Sequence, residues 1–193
     1  MPWVLIVSCC CIVVVDASQT LATGLPLYVQ GHFNAPDITP ASTNTANTKP
    51  ASLVGDSITV LSGGWLDANS SQPVTSRPAV DTTVNAAFLA GIVQTTNSSG
   101  TKHYSGGLEN FPRFLEAWSG HTFTYNGSMV VLFPSRRATS FWIGPSTSTY
   151  YTAPVRKWAF DLNFLSQAKL PPCTPQVRKL LRGQWNVVAA RAP

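Results

Sequence analysis

The side chains able to do chemistry are few and widely spaced. The three histidines, His32, His103 and His121, share no metal-ligand spacing, and none lies in a His-Glu-x-x-His stretch. Asp56, Asp67 and Asp161 are the carboxylates that folding would have to bring to them for acid–base work. Glu109 and Glu116 invite a glycosidase reading with two carboxylates. On a helix they would share a side about 10 Å apart, just beyond the inverting range of about 6.5–9.5 Å. Helical amphipathicity explains both more simply. The chain has no Gly-x-Ser-x-Gly elbow and no glycine-rich phosphate loop. The sequence therefore nominates no catalytic residue, no metal ligand and no cofactor.

Aromatic side chains offer a different chemistry. Flat rings present apolar faces to the C–H faces of sugars beside polar rims. Trp142, Tyr150, Tyr151 and Trp158 are the candidate glycan-binding residues, against the alternative that they pack the last third of the chain. Asn69, Asn97 and Asn126 open Asn-x-Ser triplets, which arise easily in a chain this rich in serine and asparagine.

Composition narrows the class. Charged residues are 11% of the 193, against roughly 25% in an ordinary globular domain. Hydroxyl, amide, glycine and proline residues replace them, which suits strands and turns more than long helices. The net charge of +5 reflects 13 basic against 8 acidic residues. The bases are scattered as isolated pairs, Arg136-Arg137, Arg156-Lys157 and Arg178-Lys179. Nucleic acid, which needs many simultaneous phosphate contacts, is not an expected partner. Weak attraction to an anionic polysaccharide or lipid is physically open.

Residues 3–15 are almost wholly apolar. The run is too short for a membrane span of about 20 residues and fits a signal-peptide core with cleavage after Ala17, although no basic residue precedes it. The alternative is that residues 4–7 and 12–15 are strands of a domain that starts further upstream. Cleavage would remove Cys9, Cys10 and Cys11 and leave Cys173 alone.

The elements that must position these side chains read as short strands. Leu25–Phe33, Leu53–Leu61, Val84–Val93 and Phe123–Phe133 carry strand-like patterns, with Asn126-Gly127 a bulge or turn. Residues 34–50 and 69–82 are polar loops. Leu108, Phe111, Leu115 and Trp118, spaced 3, 4 and 3, predict an amphipathic helix over 108–118, with Arg113 and Glu116 paired on its exposed side. Residues 134–193 read as an irregular, aromatic and proline-rich extension, with a short helix over 177–185. The fold expected for 18–193 is mainly β: a short-stranded β-solenoid-like domain with one packed helix, or alternatively a β-sandwich.

Leu27-Tyr-Val-Gln-Gly-His-Phe-Asn34, Ser105-Gly-Gly-Leu-Glu-Asn-Phe-Pro-Arg-Phe-Leu-Glu-Ala-Trp118 and Thr124-Tyr-Asn-Gly-Ser-Met-Val130 also carry a resemblance. Together with Val84-Asn-Ala-Ala87 and Arg156-Lys-Trp-Ala-Phe-Asp161, they are similar to the carboxy-terminal region of large uncharacterised bacterial surface proteins whose amino terminus is pilin-assembly-like (PilX-type). The resemblance spans roughly residues 20–185. It implies a structural or assembly module of a cell-surface or type IV pilus-associated protein, secreted or in the cell envelope. Its partners would be other envelope or pilus-associated proteins. It supplies no catalytic residues. A carbohydrate-binding adhesin domain and a hydrolase are the alternatives.

Overall fold

Alternating apolar residues flanked by glycine and polar turns produce strands throughout, and no helix is longer than a single short 3-10 turn among the described residues. The computed structural model describes residues 3–7, 10–14, 17–39, 41–93, 95–96, 102–103, 110–140, 150–176, 180–181 and 183–184, with side chains omitted for 3–14, 95–96 and 102–103. Among the described residues twelve strands follow one another. They are β1 (Trp3–Val7), β2 (Cys10–Val14), β3 (Gln19–Ala22), β4 (Leu27–Gln30), β5 (Ala51–Gly55) and β6 (Ile58–Leu61), then β7 (Thr82–Ile92), β8 (Thr95–Thr96), β9 (Lys102–His103), β10 (Arg113–Phe114), β11 (Thr122–Pro134) and β12 (Val155–Phe160).

Two five-stranded sheets result, one in the order β10-β6-β4-β1-β2 and the other β12-β11-β7-β5-β3. The second is parallel throughout and its strands lie side by side in chain order. In the first, β4, β6 and β10 are likewise parallel and sequential. Among the described residues antiparallel pairing is confined to β1 with β2, β1 with β4, and β8 with β9. This is not the antiparallel pairing of a β-sandwich. Leu27, Val29, Ile58 and Val60 of one sheet meet Leu53, Val84, Phe88 and Phe123 of the other in a single core.

β7 is buried along nearly its whole length, on both faces, as expected of a parallel strand covered on two sides. Val84, Ala86, Phe88 and Ala90 face the core. On the opposite face Asn85 lies beneath the 34–50 loop. Its side-chain amide donates to the Asn34 carbonyl (2.9 Å), and the Asn126 amide donates to the Asn85 Oδ1 (2.8 Å) and the Ser42 carbonyl (3.0 Å). Asn34 in turn donates to the Asn85 carbonyl and to Lys49 at the loop's far end. A ladder of three asparagines thus ties the polar loop down across neighbouring strands. Asn126, which opens one of the Asn-x-Ser triplets, is only 1% exposed.

Three expectations are corrected. The helix over 108–118 is absent from 110–118, where Phe114, Glu116 and Trp118 are buried in alternation and Ala117 bridges Pro78 and Thr152. That period of two belongs to extended chain. Glu116 accordingly points inward rather than pairing with Arg113 at the surface. Asn126-Gly127 is neither turn nor bulge: β11 runs through it, and its register shift falls between Val131 and Phe133. Glycine is required at 127 because a Cβ there would stand 1.9 Å from the Ala86 carbonyl oxygen. Finally, residues 155–160 are not an irregular extension but a regular strand of the parallel sheet. The predicted helix over 177–185 falls largely outside the described residues.

Candidate functional site

A cavity of about 220 Å³ opens between residues 110–114, Tyr151 and the start of β12. Its position follows from strand pairing. β12 runs parallel to β11 with Arg156 opposite Phe123 and Trp158 opposite Tyr125. Because residues two apart in a strand share a face, Arg156 and Trp158 come forward together. The indole rests edge-on against Phe123 (ring centroids 6.2 Å apart) and Tyr125 (6.3 Å), and remains 39% exposed. The Arg156 guanidinium lies 5.4 Å from the indole centroid, within range of a cation–π contact.

The opposite wall is aromatic and closely packed. Tyr151 is 6% exposed and packs against Phe114 (5.9 Å), which in turn touches Trp118 and Phe123. Burial raises the Tyr151 phenol pKa, and the Arg156 charge partly offsets this, so the phenol stays a neutral hydrogen-bonding group. Asn110 completes the rim while its amide donates to the Val93 carbonyl (2.8 Å).

Of the four candidate glycan-binding aromatics, Tyr151 and Trp158 line this one cavity. Tyr150 is half-buried against the core, its carbonyl accepting from Arg77 (3.1 Å). Trp142 lies outside the described residues. Arg156 was overlooked at the sequence level. The signal was its position two residues before Trp158, readable only once 155–160 is known to be a strand.

The titratable groups are occupied elsewhere. Glu116 is fully buried and accepts from the Ser62 backbone N–H and hydroxyl, both at 2.6 Å. Its pKa is raised by burial, against the opposing Ser62 hydrogen bonds and Arg77 charge. Glu109 lies outside the described residues, and the helical spacing that would have matched it to Glu116 does not exist. Asp56 holds the turn after β11, accepting from the Ser135 hydroxyl and the Arg136 and Arg137 N–H groups. Asp67 accepts from the Trp65 indole and Asp161 from Thr45.

Asp81, which the sequence did not single out, lies near two histidines. It stands 3.6 Å from His121 Nδ1 and its charge reaches His32. His32 Nδ1 accepts from the Thr83 N–H (3.1 Å), which requires the neutral ring; burial lowers its pKa, outweighing Asp81. The His103 side chain lies outside the described residues. Among the described residues no three His, Cys, Asp or Glu side chains are grouped to hold a metal ion. The described helices include none long and apolar enough to cross a membrane. Comparison with protein-family models, curated proteins and solved structures returned no match.

Proposed function

We propose that this chain is a non-catalytic structural or assembly module of a bacterial cell-surface or pilus-associated protein, acting outside the cytoplasm, with its strands stacked as a β-solenoid-like coil. The observation that carries this reading is the chain-order parallel sheet in which β12, among the described residues, is an edge strand. Each strand lies on its predecessor, the arrangement expected when one coil of chain stacks on the last and long polar loops are pushed aside. The resemblance of the 27–34, 105–118 and 124–130 stretches to bacterial surface proteins supports the same assignment.

β12 is the surface offered for assembly. The Val155 N–H donates to His121 and the Asp161 N–H to Gly127, so the N–H groups of Val155, Lys157 and Ala159 face β11. Those of Arg156, Trp158 and Phe160 face away, as a template for an added strand. Phe160→Pro removes one outward donor without deleting a bond to β11. It is expected to keep its thermal unfolding midpoint within a few degrees while losing cross-linked envelope or pilus-associated partners. Unchanged partners, or cross-links to cytoplasmic proteins alone, would overturn the assignment.

A second reading, carbohydrate binding, is favoured by one observation: Tyr151 and Trp158 line the same cavity. The hydrolase alternative has no comparable support among the described residues.

A further inference from the structure

The Tyr151–Trp158 cavity has an electrostatic character that its aromatic content alone does not convey. Among the described residues Arg156 is the charged side chain on its wall, and no described Asp or Glu lines it. Among the described residues no carboxylate pairs with Arg156, whose contact is the face of Trp158. A guanidinium held over an indole by a cation–π contact makes no hydrogen bond to the ring plane, and its N–H fork matches a carboxylate in a two-point hydrogen bond. Beside it the exposed indole offers an apolar plane, and Tyr151 a neutral hydroxyl-bearing wall. The volume of about 220 Å³ is on the scale of one sugar ring rather than an extended chain. The chain's net charge of +5 adds a favourable long-range field for an anion.

From this juxtaposition we infer that the cavity binds a carboxylate-bearing sugar of the uronic-acid type, its C–H face on Trp158 and its carboxylate on Arg156. The inference rests on the carbohydrate-binding reading and names the ligand class for that site.

The test is calorimetric titration of the full chain with a uronic-acid oligosaccharide, its neutral hexose counterpart of the same length, and poly-glutamate as an anion without sugar. The acidic oligosaccharide is expected to bind about 10-fold tighter than the neutral one, the scale of one charge-assisted hydrogen-bond pair. Arg156→Gln should erase that preference and leave the neutral affinity unchanged, whereas Trp158→Ala should weaken both sugars. Lys157→Gln removes the same charge from the opposite face of β12 and should change the preference less than about 2-fold, since a screened surface charge contributes little. Equal binding of acidic and neutral sugars overturns the inference and leaves carbohydrate binding standing. Binding of neither sugar overturns both. Poly-glutamate binding as tight as the uronic sugar, or an equal loss in Lys157→Gln, reduces the effect to general charge attraction and also overturns it. Should Arg156→Gln fail to fold, the wild-type comparison of the three ligands decides alone.

Discussion

Asp56 and Glu116 are two buried carboxylates, each hydrogen-bonded to a serine hydroxyl and to at least one backbone N–H, yet the fold moves them in opposite directions. Burial pushes both pKa values up. At Asp56 it is outweighed by the Ser135 hydroxyl and the successive N–H groups of Arg136, Arg137 and Ala138, so the acid is stronger than usual. At Glu116 only Ser62 donates, and even with the Arg77 charge nearby burial wins. A turn of chain that wraps its amides around a carboxylate replaces its water shell; a single serine does not. Asp56 is thus a turn clasp, while Glu116 is a polar plug between β6 and the segment after β10.

Replacing each carboxylate by alanine separates the two roles. Glu116→Ala leaves the Ser62 N–H and hydroxyl without their acceptor in a dry interior and opens a cavity. It should cost about 3 kcal/mol or more in chemical denaturation. Asp56→Ala releases donors that can turn to solvent with their loop. About 2 kcal/mol is expected, with faster amide exchange confined to residues 135–138. Equal global losses would show that both carboxylates serve the core alike and would end the distinction.

The pH dependence should carry opposite signs. Asp56, held below its ordinary 3.8, contributes stability above about pH 4 and loses it as pH falls through the folded-state pKa. Glu116, held above its ordinary 4.5, contributes a term present below pH 4.5 and lost as pH rises through its elevated value. The stability difference between wild type and Asp56→Asn should therefore grow between pH 3 and 5. The difference between wild type and Glu116→Gln should shrink from pH 4 to 7. Parallel slopes would contradict the assignment.

The smallest effects lie at the serines. Ser135→Ala leaves Asp56 its backbone donors and should cost about 1 kcal/mol. Ser62→Ala leaves Glu116 one donor, the Ser62 position's own N–H, and should raise the pKa of Glu116 further. That shift is measurable by carboxyl-labelled NMR titration, and an unmoved Glu116 would show that Ser62 does not govern it.

The strands at 27–30, 82–92 and 122–134 were legible because alternation and β-branched or aromatic residues are local signals. The 110–118 segment was misread for a related reason. Its true inward set is Phe114, Glu116 and Trp118, and a charged residue at an inward position hides the period of two from any apolar count. The chance 3-4-3 spacing of Leu108, Phe111, Leu115 and Trp118 then reads as a helix. The break of 53–61 into β5 and β6 at Asp56-Ser57 was hidden in the same way, by polar residues that are buried. At the candidate site the aromatic pair was visible as composition, whereas its guanidinium was not.

By itself the amino-acid sequence determined that the chain is mainly strands and which residues supply apolar faces, aromatic rings and turns, because these depend on neighbours a few positions apart. Only the tertiary structure decided that the strands lie parallel in chain order and that Glu116 is bound by Ser62. The same holds for the cavity that Tyr151 shares with Trp158 and Asn110. Each of those facts joins residues distant in the chain, whose meeting is set by the register of whole strands and by competition for burial across the sheets, and neither is encoded in local pattern.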